Sequence, residues 1–113
     1  MPGPQGSILQ YLNQLRPATT DPELIYSPEP GEQVVLVRLI VANVSNKNRD
    51  FSVYFDHDGT TADETTAIAF EAGILKNTTE IIDLQLPARN SAGGLYVQTD
   101  KANDLNFTLT GLK

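Results

Sequence analysis

Apolar residues return at every second position through most of this chain. Phe51, Val53 and Phe55 form one set, Ile82, Leu84 and Leu86 a second, and Leu105, Phe107 and Leu109 a third. A period of two places such side chains on one face of a pleated strand. Clusters of Asn, Asp, Gly and Thr interrupt the pattern and mark turns. Strands are expected at 24–27, 33–44, 50–56, 67–70, 80–86, 95–99 and 105–112, with turn signals at the spacing typical of sandwiches. No interval after Val34 is long or periodic enough for the crossover helices that a parallel sheet requires. The expected fold is all-β: an antiparallel β-sandwich, jelly-roll-like or Ig-like, of about seven or eight strands. Phe51, Val53, Phe55, Ile82, Leu84, Leu105, Phe107 and Leu109 are the expected core.

The longest strand, 33–44, departs from simple alternation because both of its faces are apolar. Strict alternation puts Val35, Val37, Leu39 and Val41 on one face, and Val34, Leu36, Ile40, Ala42 and Val44 on the other with Arg38 among them. A sandwich covers only one face of each sheet. The Leu36/Ile40/Ala42 side is therefore expected to meet a neighbouring copy, or else to be covered by the chain's own arm or a long loop. Arg38 would lie near such an interface, paired with a carboxylate of its own or the next subunit, because an unpaired buried charge is too costly.

Residues 1–22 read differently from 23–113, as an N-terminal arm and connector ahead of the sandwich domain. Residues 1–6 are rich in Pro and Gly and hold no regular structure. Residues 7–15 admit two readings. Ser7 can cap a short helix with Ile8, Leu12 and Leu15 on one side, or the segment can be extended. Arg16-Pro17 ends it either way. The arm is expected to dock on a neighbouring subunit through Ile8, Leu9, Tyr11, Leu12 and Leu15. It would be needed for assembly and dispensable for folding.

At 113 residues the chain supports one core and leaves no room for a large enclosed ligand cavity. Its net charge of −6, with eight scattered basic residues, disfavours direct nucleic-acid binding. The absence of Cys excludes a disulfide framework and Cys-ligated zinc. No secretory leader is expected from the first residues. The apolar run 34–44 is too short to cross a bilayer as a helix, so no membrane association is expected.

Candidate chemistry concentrates in Tyr54-Phe55-Asp56-His57-Asp58-Gly59-Thr60-Thr61. An apolar strand followed by Asp-x-Asp-Gly-Thr resembles the nucleophile motif of haloacid-dehalogenase-type phosphotransferases. That motif belongs at the end of a parallel strand with flanking helices, and this chain is too short for that fold. Asp56, Asp58, Asp63 and Glu64 could surround a cation, but Gly59 comes two positions too early for an EF-hand loop. A solvated acidic loop is the favoured reading. His57, the single histidine, has no nucleophile elbow to serve. The triplets at Asn43, Asn77 and Asn106 match the glycosylation acceptor pattern at the frequency chance provides in an Asn/Thr-rich chain. No catalytic residue, cofactor or metal site is expected.

An ordered run of features resembles the small virion structural proteins of tailed bacteriophages. It comprises Gly6-Ser7-Ile8-Leu9-Gln10-Tyr11-Leu12, Leu15-Arg16-Pro17, Ile25-Tyr26-Ser27-Pro28, Val41-Ala42-Asn43-Val44-Ser45, Phe55-Asp56-His57-Asp58-Gly59-Thr60-Thr61, Asn77-Thr78-Thr79-Glu80, Gly94-Leu95-Tyr96-Val97-Gln98-Thr99 and Phe107-Thr108-Leu109-Thr110-Gly111. The resemblance implies a small sandwich bound to a capsid or a tail, with neither enzymatic activity nor cofactor. The leading expectation is a capsid decoration, or cement, protein. It would form a homotrimer on the virion surface, contact the major capsid protein and stabilise the shell. A tail, neck or fibre-associated protein is the alternative. A free calcium- or carbohydrate-binding module, suggested by Tyr54, Tyr96 and the acidic loop, is the third reading.

Overall fold

The computed structural model describes residues 8–89 and 91–113. It is built from eight strands: β1 (Leu9–Leu15), β2 (Glu23–Tyr26), β3 (Val34–Asn43), β4 (Arg49–Asp56), β5 (Ala67–Ile74), β6 (Thr79–Ala88), β7 (Gly94–Thr99) and β8 (Leu105–Leu112). One turn of 3-10 helix, Glu64–Thr66, precedes β5. The antiparallel pairs β1·β8, β2·β7, β3·β6 and β4·β5 describe a single long hairpin folded at the β4–β5 turn. Rolling that hairpin adds the pairs β3·β8 and β4·β7. Two four-stranded sheets result, β1-β8-β3-β6 (sheet A) and β2-β7-β4-β5 (sheet B). This is the jelly roll, one of the two sandwich types the sequence left open.

Leu9–Leu15, read from the sequence as part of an arm, is a strand of sheet A. It pairs with β8 from Leu9↔Leu112 to Leu15↔Phe107. The physical reason lies on both sides of the segment. The outer edge of β8 offers a row of backbone groups that need partners. Leu12 and Leu15 also reach the core, and Pro17 is fully buried. The short-helix alternative and the separation of this segment from the core are both corrected. Residues 1–7, the start of the expected arm and connector, lie outside the described residues.

Strict alternation also fails inside β3. Leu36 lies opposite Gly111 and Arg38 opposite Thr110, so Val37 is an extra residue with no partner on β8. A bulge of this kind reverses which face the following residues occupy. Val34 and Leu36 point inward before it, and Leu39, Val41 and Asn43 after it. Neighbouring strands carry matching irregularities: β1 has an extra residue at Leu12, and β6 has one within Leu84–Gln85, where Gln85 takes φ +54°. Gly111 lies in this seam. A Cβ there would come within 2.6 Å of both the Val35 carbonyl oxygen and the Leu12 side chain, so the bulged strands can close only over a glycine.

The core between the sheets comprises Val34, Leu36, Leu39, Val41, Leu105, Phe107 and Leu109 from sheet A. Sheet B contributes Ile25, Phe51, Val53, Ile74, Leu95 and Val97. Phe107 meets Phe51 edge to face, with ring centroids 6.3 Å apart, a favoured aromatic geometry. Phe55, Ile82, Leu84 and Leu86 are half-buried around the margin. Asn43 is the polar anchor of one end. Its amide nitrogen donates to the carbonyls of Lys47, Ile74 and Leu75, at 2.8, 3.2 and 3.2 Å. Its side-chain oxygen accepts from the Ser45 amide and hydroxyl. One side chain thus ties the β3–β4 turn to the β5–β6 turn.

Two substitutions test this packing by urea unfolding. Phe107→Ala is expected to cost about 3–5 kcal/mol, because the ring is fully enclosed and its removal leaves a cavity. Asn43→Ala is expected to cost about 1–3 kcal/mol by removing the amide donor from the buried Ile74 carbonyl and its share of the bonds to Lys47 and Leu75. A cost under about 1 kcal/mol for Phe107→Ala would contradict the register of β8.

Candidate functional site

The residues of sheet A that face away from the core form four rows across the strands. The first is Leu9–Leu112–Val35–Pro87, apolar from edge to edge. The second is Tyr11–Thr110–Arg38–Asp83, the third Gln14–Thr108–Ile40–Ile81, and the fourth Asn106–Ala42–Thr79. Leu9, Tyr11 and Ile81 are 61, 58 and 61% exposed, and Val35, Val37, Ile40 and Leu112 are half-buried. The four rows carry one cation and one anion, and these neutralise each other: Arg38 Nε lies 3.0 Å from Asp83 Oδ1. Such an exposed pair adds little stability. Arg16, just beyond β1, adds a cation at the margin, its Nε donating to Asn106 at 2.6 Å. A sheet face with an unbroken apolar row and so little charge is unusual on a chain of net charge −6, and contiguous exposed apolar surface marks an interaction site.

The eight residues expected to form an interface divide in two. Ile8, Leu9, Tyr11, Arg38 and Ile40 lie on this face or at its β1 edge, and the structure brings them together with Val35, Val37, Leu112 and Ile81. Leu12 and Leu15 pack against the core, and Leu36 is completely buried in it. Placing Leu36 on an outer interface is therefore corrected, and the bulge at Val37 is the cause. The same bulge hid Val35 and Val37, which strict alternation assigns to the interior. Arg38 is paired within its own subunit and exposed. Leu112 and Ile81 carried a readable signal, since each is out of phase with the buried set of its own strand.

The opposite outer face, that of sheet B, has another character. A cleft of about 510 Å³ opens there, lined by Ser52, Tyr54, Phe70 and Gln98, with carboxylates from Asp50, Asp63, Glu64, Glu71 and Asp100 around it. The Tyr54 hydroxyl and the Gln98 side-chain carbonyl share a hydrogen bond across its floor. The acidic loop borders this cleft and is braced by its own carboxylates. Asp56 accepts from the amides of Asp58 and Thr61, at 3.2 and 2.9 Å, and those bonds hold its pKa below the ordinary carboxylate value. Asp63 caps the 3-10 turn, accepting from the Thr65 hydroxyl and amide, which lower its pKa likewise. Asp56, His57 and Asp58 offer ligand atoms within 4.8 Å of one another. His57 and Asp58 are exposed, and the Asp56 oxygens already serve the loop backbone.

A polar cluster secures the corner where the first row meets the β1 edge. Glu32 accepts from the Tyr26 hydroxyl at 2.7 Å and from the Glu29 amide at 2.9 Å, and meets Lys113 Nζ at 3.0 Å. Lys113 also lies over the Tyr26 ring. These partners, the Glu29 amide foremost, lower the Glu32 pKa from 4.5 to about 2. Burial, helped by the nearby carboxylate, raises the Tyr26 pKa. Lys113 in turn exchanges backbone bonds with Ile8, at 3.3 and 3.4 Å, so the cluster fixes the start of β1.

No protein-family model matches the sequence, and no curated protein sequence matches it either. Solved structures do. The coat protein of tobacco streak virus aligns over 100% of this chain and 90% of its own, with a TM-score of 0.53 and 14% identity. A dimer structure of that coat protein aligns over the same shares, with a TM-score of 0.50 and 13% identity. At these identities the likeness is one of fold. Among the described residues no helix is long and apolar enough to cross a membrane.

Glu32 makes a pH prediction. A carboxyl whose pKa falls on folding stabilises fully above its unfolded value. That stability is lost as pH drops through the folded value. The Glu32 contribution should therefore disappear between pH 4.5 and about 2. Glu32→Gln should be less stable than the parent at neutral pH, and its unfolding midpoint should fall less steeply across that window. Asp56 and Asp63, whose pKa values are also lowered by their hydrogen bonds, contribute to the slope that remains. Parallel pH profiles for the two proteins would contradict the assignment.

Proposed function

We propose that this protein is a non-enzymatic virion structural protein, a decoration protein that docks on a capsid through the outer face of sheet A. The observation that carries the reading is the two-sidedness of the sandwich. One outer face carries an unbroken apolar row and little charge, and the other carries a ring of carboxylates. Docking by the first buries apolar surface without stranding charge, and the second keeps the decorated particle soluble. The fold shared with a viral coat protein supports the same reading, as does the resemblance to small phage virion proteins. Many weakly bound copies clamping the seams between capsid subunits would act together through multivalency.

The self-association expected from the sequence rested on the Leu36/Ile40/Ala42 face, and its trimeric form on the resemblance to phage decoration proteins. With Leu36 in the core, Ile40 and Ala42 become part of the docking face, and a three-fold arrangement would be imposed by the shell rather than by that contact.

Mass spectrometry of purified virions tests the proposal. The expected result is a copy number comparable to that of the capsomers, together with density on the outer shell in a reconstruction. A handful of copies confined to the tail or neck would overturn it in favour of the tail-associated reading. Val35→Glu together with Ile40→Glu should weaken shell binding by about tenfold or more, since each places a desolvated charge in the contact. The urea midpoint should stay close to that of the parent, because both side chains face away from the core.

A further inference from the structure

The sandwich has four edge strands, β1, β6, β2 and β5, and three of them are protected against pairing with another chain. β6 carries Glu80, Asp83 and Pro87 and is bent at Gln85. β5 has two register shifts against β4, with Glu71 at φ +48°. β2 has four residues and begins with Glu23. Short length, charge, proline and bulges are the usual defences of a sheet edge. The first half of β1 has none of them. Ile8, Leu9, Gln10 and Tyr11 are uncharged and exposed, and the register against β8 is regular up to Tyr11. The second half of β1 is closed by Asn13, whose side chain donates to the Ile25 carbonyl at 2.7 Å and accepts from the Gln14 amide at 2.9 Å.

The direction of the free backbone groups follows from the pairing. Ile8 and Lys113 exchange both hydrogen bonds. In an antiparallel ladder the next residue turns its N–H and C=O the other way. Leu9 and Tyr11 therefore direct these groups at the open edge, while Gln10 faces β8.

We propose that this half-strand pairs with its own counterpart in a second copy of the chain. β1 would run antiparallel to β1 of the partner about a two-fold axis at Gln10, joining the two A sheets into one. In this register Leu9 of one copy lies opposite Tyr11 of the other, and the two Leu9–Tyr11 pairs exchange four backbone bonds. Each pair sets an aliphatic side chain against an aromatic ring on the outer face, a favourable cross-strand combination. A second copy is the partner that the charges favour. Two chains of net charge −6 repel, and every other edge would bring its own carboxylates towards those of its mate. The β1 edge alone brings none. Such a contact is closed and self-complementary, so it ends at a dimer. It also continues the outer face of sheet A from one copy into the next. The inference stands on the edge geometry and is independent of what the face docks against.

Sedimentation of the full chain at micromolar to high micromolar concentration reads the association, and amide exchange reads the edge. The expected result is a dimer in which the Leu9 and Tyr11 amides gain protection as concentration rises. Leu9→Lys with Tyr11→Lys sets like charges opposite each other in both pairs and should weaken the dimer about tenfold or more. Leu9→Lys with Tyr11→Glu sets opposite charges face to face in this register alone and should restore it. Ile40→Glu, on the same face but away from the edge, should leave dimerisation unchanged. A strict monomer, a dimer broken by Ile40→Glu, or one indifferent to the charge arrangement at positions 9 and 11 would each overturn the proposal. Cooperative unfolding of each variant confirms that the sandwich itself is intact.

Discussion

One extra residue in β3 decides which surface this molecule shows to the outside. With Val37 bulged against β8, Leu36 and Leu39 both enter the core although three positions separate them. Val35 and Ile40 emerge on the other side. Without the bulge, the phase that buries Leu39 and Val41 would also bury Val35 and Val37, and it would turn Leu36 outward. The irregularity is shared by β1 and β6, so it acts as a seam across sheet A rather than a local defect. Bulges add twist and bend, and a sandwich closed by β1 at one edge and β6 at the other needs curvature there. Gly111 is the condition for the seam, because any side chain at that position would collide with a backbone carbonyl.

The polar groups at the ends of the sandwich complete what the seam begins. A jelly roll sends most of its connections from one sheet to the other, so loop carbonyls collect at the two ends, partly shielded from water. Asn43 satisfies three of them at one end. At another corner Tyr26, Glu32 and Lys113 bind the end of β8 to the turn before β3. Arg49 and Asp104, 2.8 Å apart and each largely shielded, join the start of β4 to the turn before β8. Among the described residues no buried side-chain polar atom lacks a partner, as a well-specified interior requires.

Much of the fold was legible in the sequence. β4, β6, β7 and β8 show clean alternation, and their buried faces follow from it. The choice between jelly roll and Ig-like sandwich was not legible, because strand order depends on which distant edges meet and alternation is silent about that. β1 was ambiguous for a physical reason. Ile8, Leu12 and Leu15 fit a helical stripe, and the bulge at Leu12 broke the period of two that would have identified a strand. The candidate surface was half legible. An apolar excess in 33–44 signalled a second apolar face, and Ile40 and Arg38 were placed on it. Leu36 was placed there as well, because a bulge leaves no mark in an unbroken run of Val, Leu and Ile. Tyr11 and Leu9 were singled out as apolar residues near the N-terminus, and both are exposed on an edge strand.

The distribution of charge gives the surface its meaning. The strands of sheet A contribute one cation and one anion to their outer side, and these meet each other. Carboxylates instead gather around the cleft on sheet B and along the 56–66 loop, where Asp56 and Asp63 are engaged in holding the loop's shape. A monomer selected only for solubility gains nothing from this separation, since charges spread over both faces would serve as well. Separation is useful when one face must approach another surface closely and the other must remain in water. Desolvating a carboxylate is costly and desolvating Val35, Ile40 or Leu112 is favourable. The same logic extends to the β1 edge, whose first half is, among the described residues, the one stretch of exposed strand edge that combines regular register with the absence of charge and proline. An assembly of the proposed kind would use the weakly charged face of sheet A and its open β1 edge, and leave the acidic side in water.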